Sequence, residues 1–408
     1  MIHRLEIENF YSIRETQVID LRIGAKVPDD EGRFAQINDG SGERVPKTVA
    51  LFGANASGKS NVLKALSLLQ WFLIDSIKLP AGAGLPFPNF ADSECNTRPT
   101  RIRVHFDWSE DFTNKDLLSA LQIRRTRYVY EVRFQSEPNK PGKIVLSEEL
   151  RQQPETGKSR RIFERNQKGE VHSDSKFPLK GLSHILSKLR PEVSLTATIA
   201  QFAEHQSTIA FLAWARGIAT NILSEKMELD DSTVMGYYLI NPYILSELNR
   251  VIEKVDLGIQ SVSFLPSPTG PFAAFTHQGL GMNLPLYMES QGTRQFIKVF
   301  PSIRDALDSG GIAVLDELDS AIHPMLLPEI LRWFHDPKDN PLNAQLWFSG
   351  HSASLLEELK KEEVFFTEKD QQGRTKIYGL GDIESVRRSD NFYQKYLGGV
   401  YGAVPRIG

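Results

Sequence analysis

The chain has 408 residues, of which 40% are hydrophobic and 24% are charged, and its 48 Lys and Arg against 51 Asp and Glu give a formal net charge of -3. This is the composition of an ordinary globular protein with room for more than one structural unit. The near balance of charge excludes a global basic field that would attract nucleic acid, although a local basic patch stays open. The single cysteine, Cys95, excludes an internal disulfide framework and fits a reducing compartment.

Neither the N-terminus nor the most apolar stretch carries a targeting or membrane signal. Residues 1–6 lack the basic-then-apolar order of a signal peptide. The run 62–79 contains Lys64, Asp75 and Lys78, so it is predicted to be a buried helix and not a membrane span. We therefore expect a cytoplasmic protein with no membrane partner.

The first elements in chain order are two predicted strands, at residues 2–7 and 16–23, with a turn at 9–12 between them. Residues 24–47 are polar and contain six glycines or prolines. This composition predicts a loop or the end of a long hairpin. Regular structure is predicted to resume at Thr48.

Residues 53–60 read GANASGKS and match the phosphate-loop pattern G-x-x-x-x-G-K-[ST] at every fixed position. The apolar run 48–52 before it predicts a buried strand, and apolar residues at helical spacing after it predict a helix, which is the context that the motif requires. The predicted nucleotide-binding residues here are Gly53, Ala54, Asn55, Ala56, Ser57, Gly58, Lys59, Ser60 and Asn61.

The residue types of this loop suit phosphate chemistry. Gly53 and Gly58 let backbone N–H groups close around phosphate oxygens, and the following helix directs its positive end at the same anion. Lys59 is predicted to contact the β- and γ-phosphates of ATP, and the Ser60 hydroxyl to help hold Mg²⁺.

The middle of the chain changes from strand-like to helix-like patterns. Alternating polarity at residues 101–108, 127–134 and 143–147 predicts an antiparallel meander. Apolar residues at three- and four-residue steps predict helices from about 177 to 258.

The resulting domain prediction is an N-terminal lobe at 1–108, an insertion at 109–271 and a C-terminal lobe at 272–408. The insertion is long enough for a lid, an arm or a partner-docking surface. Its basic clusters at 124–127 and 158–165 are interpreted as solvated faces, with nucleic-acid contact as the alternative.

Two carboxylates and a histidine supply the second half of the predicted site. Asp316 and Glu317 follow the apolar run 311–315, which predicts a buried strand that ends at the ligand-binding edge of a parallel sheet. Asp316 is predicted to hold Mg²⁺ and Glu317 to polarise the water that attacks the γ-phosphate. His351 comes just after a second apolar run, 345–349, where it would sense the γ-phosphate.

Residues 5–13, 53–60, 289–293, 315–324 and 349–352 together resemble, in order, the motifs of the ABC-type ATPase heads of SMC, Rad50 and RecF proteins. The chain is particularly similar to the bacterial AAA15 family, which includes AbiLi- and RloA-like phage-resistance proteins. This resemblance implies an α/β P-loop NTPase fold of the ABC-type head, with a mixed sheet and helices, interrupted by an α+β insertion.

The same resemblance implies further roles. Ser290 and Gly292 match the signature motif, Asp319 the D-loop and His351 the switch histidine, while His323 would lie beside the D-loop. Such heads hold ATP and Mg²⁺ between the phosphate loop of one subunit and the signature of another, which implies a homodimer or a larger homo-oligomer.

At the level of function, the family likeness predicts an ATP-hydrolysing switch that controls a separately encoded nuclease or toxin in anti-phage defence. One alternative is an ATP-driven nuclease like the OLD family, although the 57 residues after His351 are few for the Toprim domain of those proteins. Another is a repair ATPase in the manner of RecF or Rad50, with DNA bound across closed heads. No Q-loop glutamine is assigned, because candidates such as Gln70 lie within a predicted helix.

Overall fold

The computed structural model describes residues 1–29, 31–37, 42–108, 126–137, 142–154, 158–175, 177–203, 206–223, 230–255, 258–266, 271–320, 322 and 326–404. The strands are β1 (Ile2–Glu8), β2 (Gln17–Asp20), β3 (Ile23–Gly24), β4 (Phe34–Gln36), β5 (Glu43–Pro46), β6 (Thr48–Phe52), β7 (Thr100–Trp108), β8 (Thr126–Ser136), β9 (Lys143–Gln153), β10 (Arg160–Arg165), β11 (Val171–Ser173), β12 (Ile218–Thr220), β13 (Ile259–Leu265), β14 (Phe272–His277), β15 (Leu284–Pro285), β16 (Ile312–Leu315), β17 (Gln345–Ser349), β18 (Val364–Lys369) and β19 (Thr375–Gly379).

The helices are α1 (Lys59–Asp75), α2 (Ser183–Leu186), α3 (Leu195–Ile199), α4 (Gln206–Arg216), α5 (Asp231–Ile240), α6 (Pro242–Val255), α7 (Gln291–Ser309), α8 (Leu326–His335) and α9 (Phe392–Leu397). Within the described ranges, none of these helices combines the length and the apolar character needed to cross a membrane.

The central sheet contains the strand that leads into the phosphate loop. Its strand order is β12-β16-β17-β6-β18-β19, in which β19 runs antiparallel to β18 and the other neighbours are parallel. Parallel strands bring their carboxyl ends to one edge of a sheet. The ends of β6, β16 and β17 therefore meet, and the predicted phosphate loop, carboxylates and histidine all follow strands that end at this edge.

Successive residues of β6 point to opposite faces of the central sheet, so alternate residues belong to two different hydrophobic cores. Val49 and Leu51 belong to a core shared with α1 and with a second, antiparallel sheet. Ala50 and Phe52 belong to a core shared with α7 and α8. The central sheet is thus covered on both faces, which explains why β6 reads as an uninterrupted apolar run.

The antiparallel sheet has the strand order β11-β10-β9-β8-β7-β1-β2 and confirms the predicted meander. It packs on α1, where the rings of Phe72 and Phe134 meet edge to face with centroids 5.2 Å apart. α1 therefore lies between the two sheets, and burial of its apolar residues fixes the direction in which its N-terminus points.

Two predictions of local structure are wrong. Residues 24–47 were predicted to be a loop or the end of a long hairpin, and the loop alternative is wrong because they contain β4 and β5, which pair antiparallel and form a small sheet with β3. The predicted helical region 177–258 contains β12, which pairs in parallel with β16. Strands of three or four residues are too short to show a period of two, and tertiary pairing determines them.

The division into two lobes and an insertion at 109–271 stays a prediction, but strand pairing crosses its boundaries. β7 ends at Trp108, the last residue of the predicted N-terminal lobe, and β8 lies within the predicted insertion, but the two strands are neighbours in one sheet. β12 lies within the predicted insertion and is the edge strand of the central sheet. The insertion segment therefore contributes strands to both sheets.

Candidate nucleotide site

The phosphate loop connects the end of β6 to the start of α1. Gly58 directly precedes α1 with a φ of 112°, and Gly53 begins the loop with a φ of 150°. A Cβ on Gly53 would overlap the carbonyl oxygen of Thr367, and a Cβ on Gly58 would overlap Oγ1 of Thr375. Both positions therefore need glycine for conformational and for steric reasons.

The loop borders a cavity of about 500 Å³. Its lining contains the predicted loop residues from Asn55 to Asn61 together with Glu317, His351 and Lys369. Cavities of this volume fall within the range of small-molecule sites, about 300–1,000 Å³. Four separate segments of the sequence thus meet at the carboxyl edge of the central sheet, as the sequence predicted for Glu317 and His351.

The hairpin of β18 and β19 braces the phosphate loop. Oγ1 of Thr375 donates a hydrogen bond to the carbonyl oxygen of Ser57 at 2.8 Å, and Oγ of Ser57 lies 2.6 Å from Oγ1 of Thr367. Nδ2 of Asn61 donates to Oγ of Ser12 at 2.7 Å, and that oxygen lies 2.7 Å from Thr375 Oγ1. The conformation of the loop is therefore fixed by the protein itself, which reduces the cost of ordering it around a ligand.

Lys59 lies in a partly desolvated position beside the cavity. Its Nζ donates to the carbonyl oxygens of Gly53 at 2.8 Å and Ala54 at 3.2 Å. Burial lowers the pKa of the Lys59 ammonium, while nearby carboxylates, led by that of Asp316, act in the opposite direction. A cation with little water around it interacts more strongly with an anion such as a phosphate.

The Asp316 carboxylate is buried and is tied to the first turn of α1. Its Oδ1 accepts hydrogen bonds from Oγ of Ser60 at 3.0 Å and from Oγ of Ser349 at 2.6 Å. The hydroxyl and carboxylate oxygens are hard ligands of the kind that Mg²⁺ takes, usually with one or two carboxylates and substrate phosphates. The donor set of Ser60 and Asp316 therefore fits a Mg²⁺ site that also uses nucleotide oxygens.

Glu317 follows Asp316 in an unusual backbone conformation. Its φ is 50°, a value that costs energy for a residue with a Cβ and that often marks functional sites. Its backbone N–H donates to Ser349 Oγ at 2.7 Å. Its side-chain Oε1 lies 3.7 Å from Nε2 of His351, and both side chains are about 40% exposed, at 39% and 41%. The strained turn thus places a solvent-accessible carboxylate next to the histidine, in the lining of the cavity.

Asp319 links the segment after β16 to the segment after β17. Its Oδ2 accepts from the backbone N–H of His351 at 2.6 Å and from the backbone N–H of Ser352. Its other carboxylate oxygen is buried and has no hydrogen-bond partner among the described residues. The backbone of the predicted switch histidine is therefore held by the predicted D-loop residue of the same chain.

A family profile decides the broader assignment. The profile of AAA_21, described as "AAA domain, putative AbiEii toxin, Type IV TA system", matches residues 49–357, which is most of the chain. The chain belongs to the AAA_21 family. The match confirms the predicted α/β P-loop fold, and the narrower assignment to AAA15 stays a prediction.

Solved structures similar to this AAA_21 chain include two SMC heads. The SmcHead bound to the C-winged helix domain of ScpA has 12% sequence identity and a TM-score of 0.44, with 93% of this chain and 97% of the other chain covered. The SMC head domain from Thermotoga maritima has 14% identity and a TM-score of 0.38, with 93% and 98% covered. No curated protein matches the chain.

The signature residues predicted from the resemblance lie apart from the phosphate loop in this AAA_21 chain. Ser290 is the N-cap of α7, and its Oγ accepts from the backbone N–H of Thr293 at 3.1 Å. Ser290 is exposed and Gly292 is half-buried, and neither belongs to the lining of the 500 Å³ cavity. Within one chain, the structure therefore does not bring the predicted signature to the predicted phosphate site.

Several contacts in the site were not expected from the sequence of this AAA_21 member. Ser349 contacts both carboxylate residues, and Thr367 and Thr375 brace the loop. Ser349 belongs to the motif at 349–352, but the sequence predicted a role only for His351 of that motif. No local sequence pattern marks Thr367 or Thr375. His323 lies outside the described residues, and Gln70 lies within α1, so the Q-loop stays unassigned.

Proposed function

We propose that this protein binds and hydrolyses ATP as an ABC-type switch, that two copies close over shared ATP, and that closure controls a separately encoded effector. The observation that supports the ATPase is the set of contacts that joins Ser60, Asp316, Ser349 and Glu317 at one edge of the sheet. A glycine turn that matched the phosphate-loop pattern by chance would have no reason to meet this set of partners.

Each residue of the site has a role in the proposed reaction. Backbone N–H groups of the loop and the Lys59 ammonium would bind the phosphates, and Ser60 and Asp316 would hold Mg²⁺. Mg²⁺ held by these two residues would supply positive charge that offsets the charge of the phosphates. Glu317 would orient and polarise the attacking water, and His351, 3.7 Å from Glu317, would contact the γ-phosphate.

The dimer part of the proposal is supported by the position of the signature. α7 begins directly after the exposed Ser290, and the N-terminus of a helix is a favourable environment for an anion. Because these residues lie outside the cavity of their own chain, they are available to the nucleotide bound by a second copy. Closure over ATP would then complete each site with residues from both chains.

The proposed context is cytoplasmic anti-phage defence, with a nuclease or toxin as the effector. The resemblance to AAA15 proteins and the family description, which names a toxin and a Type IV TA system, support this step by association. The reading frame next to the gene is expected to encode the effector, and sequencing it is the direct check.

DNA binding in the manner of RecF or Rad50 is less well supported. In the predicted basic cluster at 158–165, Arg161 pairs with Glu149 and Glu164, and Arg165 is buried and donates to backbone carbonyl oxygens. Residues 124 and 125 of the other predicted cluster lie outside the described residues. An arginine that is ion-paired within the chain, like Arg161, or buried, like Arg165, is poorly placed to contact the phosphates of DNA. Salt-dependent binding of DNA that increases with ATP would nevertheless favour that alternative, and metal-dependent cleavage of DNA or RNA by the purified protein would favour the OLD-like nuclease.

The rate of ATP hydrolysis and the mass of the protein in solution test the proposal directly. The purified protein is expected to hydrolyse ATP with Mg²⁺. It should lose turnover in a chelator, because a chelator removes the ion that Ser60 and Asp316 are proposed to hold. Light scattering is expected to give a larger mass with ATP than with ADP. Failure to bind ATP under any condition would contradict the ATPase, and turnover by a protein that is always monomeric would contradict the shared site.

A further inference from the structure

An asparagine from the predicted insertion holds the backbone of the proposed metal ligand. Asn221 directly follows β12, and it is buried with 7% of its surface exposed. Its Nδ2 donates to the carbonyl oxygen of Asp316 at 3.1 Å, and its Oδ1 accepts from the backbone N–H of Asp316 at 2.7 Å. One side-chain amide thus satisfies both backbone groups of the residue that carries the carboxylate.

This contact continues the sheet where β12 ends. β12 pairs with β16 only from Ile218 to Thr220, opposite Ile312 to Val314, and the backbone N–H of Asn221 then donates to Val314 at 3.3 Å. A side-chain amide has the same donor and acceptor groups as a peptide unit, so it can replace the next pair of ladder hydrogen bonds. Asp316 is therefore aligned from the β12 side although the strand has already stopped.

The two sides of Asp316 are held by different partners. Asn221 bonds its backbone, while Ser349 bonds its carboxylate oxygen Oδ1, which also accepts from Ser60. The distance between the carboxylate and the Ser60 hydroxyl consequently depends on where β12 places Asn221. We infer that Asn221 is a positioning residue, which sets the geometry of the proposed metal-binding pair without contacting the nucleotide.

β12 is itself attached to other parts of the core. Oγ1 of Thr220 lies 2.8 Å from Oγ of Ser67 on α1. The helix α4 directly precedes β12, and its Trp214 stacks on Phe106 of β7 with ring centroids 3.9 Å apart. A displacement of α4 or of the antiparallel sheet would therefore move β12, and with it Asn221 and the backbone of Asp316. This gives the insertion a physical means to influence the proposed metal site, and the inference rests on the proposed function.

The chain contains a matched control for this contact. Asn249 on α6 makes the same two hydrogen bonds with the backbone of Val262, with Nδ2 to O at 3.0 Å and N to Oδ1 at 2.7 Å. Neither residue lines the cavity beside the phosphate loop. Asn249→Ala therefore removes an equivalent pair of bonds and reports the general cost of losing them.

The test compares Asn221→Ala, Asn221→Asp and Asn249→Ala with the wild-type protein. Binding of Mn²⁺ is measured by electron paramagnetic resonance in the presence of a non-hydrolysable ATP analogue, so that the readout does not depend on turnover. Loss of partners that orient metal ligands weakens metal binding by roughly 10- to 100-fold. We expect a loss of about this size for both Asn221 variants, with unchanged affinity for the nucleotide in metal-free buffer, and wild-type metal binding for Asn249→Ala.

Asn221→Asp is included because it keeps the size of the side chain and the acceptor for the Asp316 N–H, but replaces the donor by an oxygen that repels the Asp316 carbonyl. If Asn221→Ala does not fold, Asn221→Asp tests the positioning role of Asn221 in its place. Wild-type Mn²⁺ binding by the Asn221 variants, or an equal loss in Asn249→Ala, would overturn the inference. If the wild-type protein bound the analogue but bound no Mn²⁺ when the ion was added, the proposed metal site itself would be contradicted.

Discussion

Glu317→Gln is expected to lower ATP turnover by about 10²- to 10⁴-fold, the usual contribution of a general base, while ATP binding is retained. The glutamine keeps the size of the side chain but loses the charge that would polarise the attacking water. Binding should persist because the proposed phosphate contacts come from the loop and from Lys59, whose Nζ donates to the carbonyl oxygens of Gly53 and Ala54. Steady-state phosphate release and equilibrium binding of a fluorescent ATP analogue measure the two effects separately.

The same substitution at an exposed glutamate controls for the loss of charge. Glu384 is exposed and lies outside the lining of the cavity, so Glu384→Gln should turn over like the wild-type protein. If Glu317→Gln kept a substantial part of the wild-type rate, Glu317 would have to be removed from the role of base.

Lys59→Ala is expected to weaken ATP binding itself, in contrast to Glu317→Gln. A charge-assisted hydrogen bond contributes up to about 3 kcal/mol, which corresponds to roughly a hundredfold in the dissociation constant. The position favours the upper end, because Lys59 is buried beside the cavity and its charge is poorly screened. Isothermal titration with ATP and Mg²⁺ gives the dissociation constant directly.

The folded state should tolerate this change, since burial already disfavours the charged form of Lys59 and lowers its pKa. Lys376→Ala removes an exposed lysine on β19 that does not line the cavity, and it should leave the affinity unchanged. An unaltered dissociation constant for Lys59→Ala would contradict the assignment of residues 53–60 as the phosphate loop.

The sequence predicted those parts of the site that lie in local motifs at the ends of strands. The loop from Gly53 to Ser60, the pair Asp316 and Glu317, and His351 each follow an apolar run, and parallel pairing of those runs brings them to one edge. Their place in the fold could be predicted because an apolar strand and the polar residue after it are visible in the sequence.

The residues that hold the phosphate loop and Asp316 in place could not be predicted from local motifs. Thr367 and Thr375 brace a loop about 300 residues earlier in the chain, at sequence separations of 310 and 318 from Ser57. Asn221 follows a strand of three residues that lies inside a region with helical periodicity. Such contacts depend on strand order and register, which a single sequence does not reveal.

The shared site is tested most directly by mixing two inactive variants. Lys59→Ala damages the phosphate loop, and Gly292→Glu places an acidic side chain in the first turn of α7, where it suits the helix dipole but repels nucleotide phosphates. In a 1:1 mixture, half of the dimers contain one of each variant, and each of these has one intact site made from the two undamaged parts. The account predicts little turnover from either variant alone and recovery to about a quarter of the wild-type rate in the mixture. A mixture no more active than the two variants measured separately would contradict closure of two copies over shared ATP.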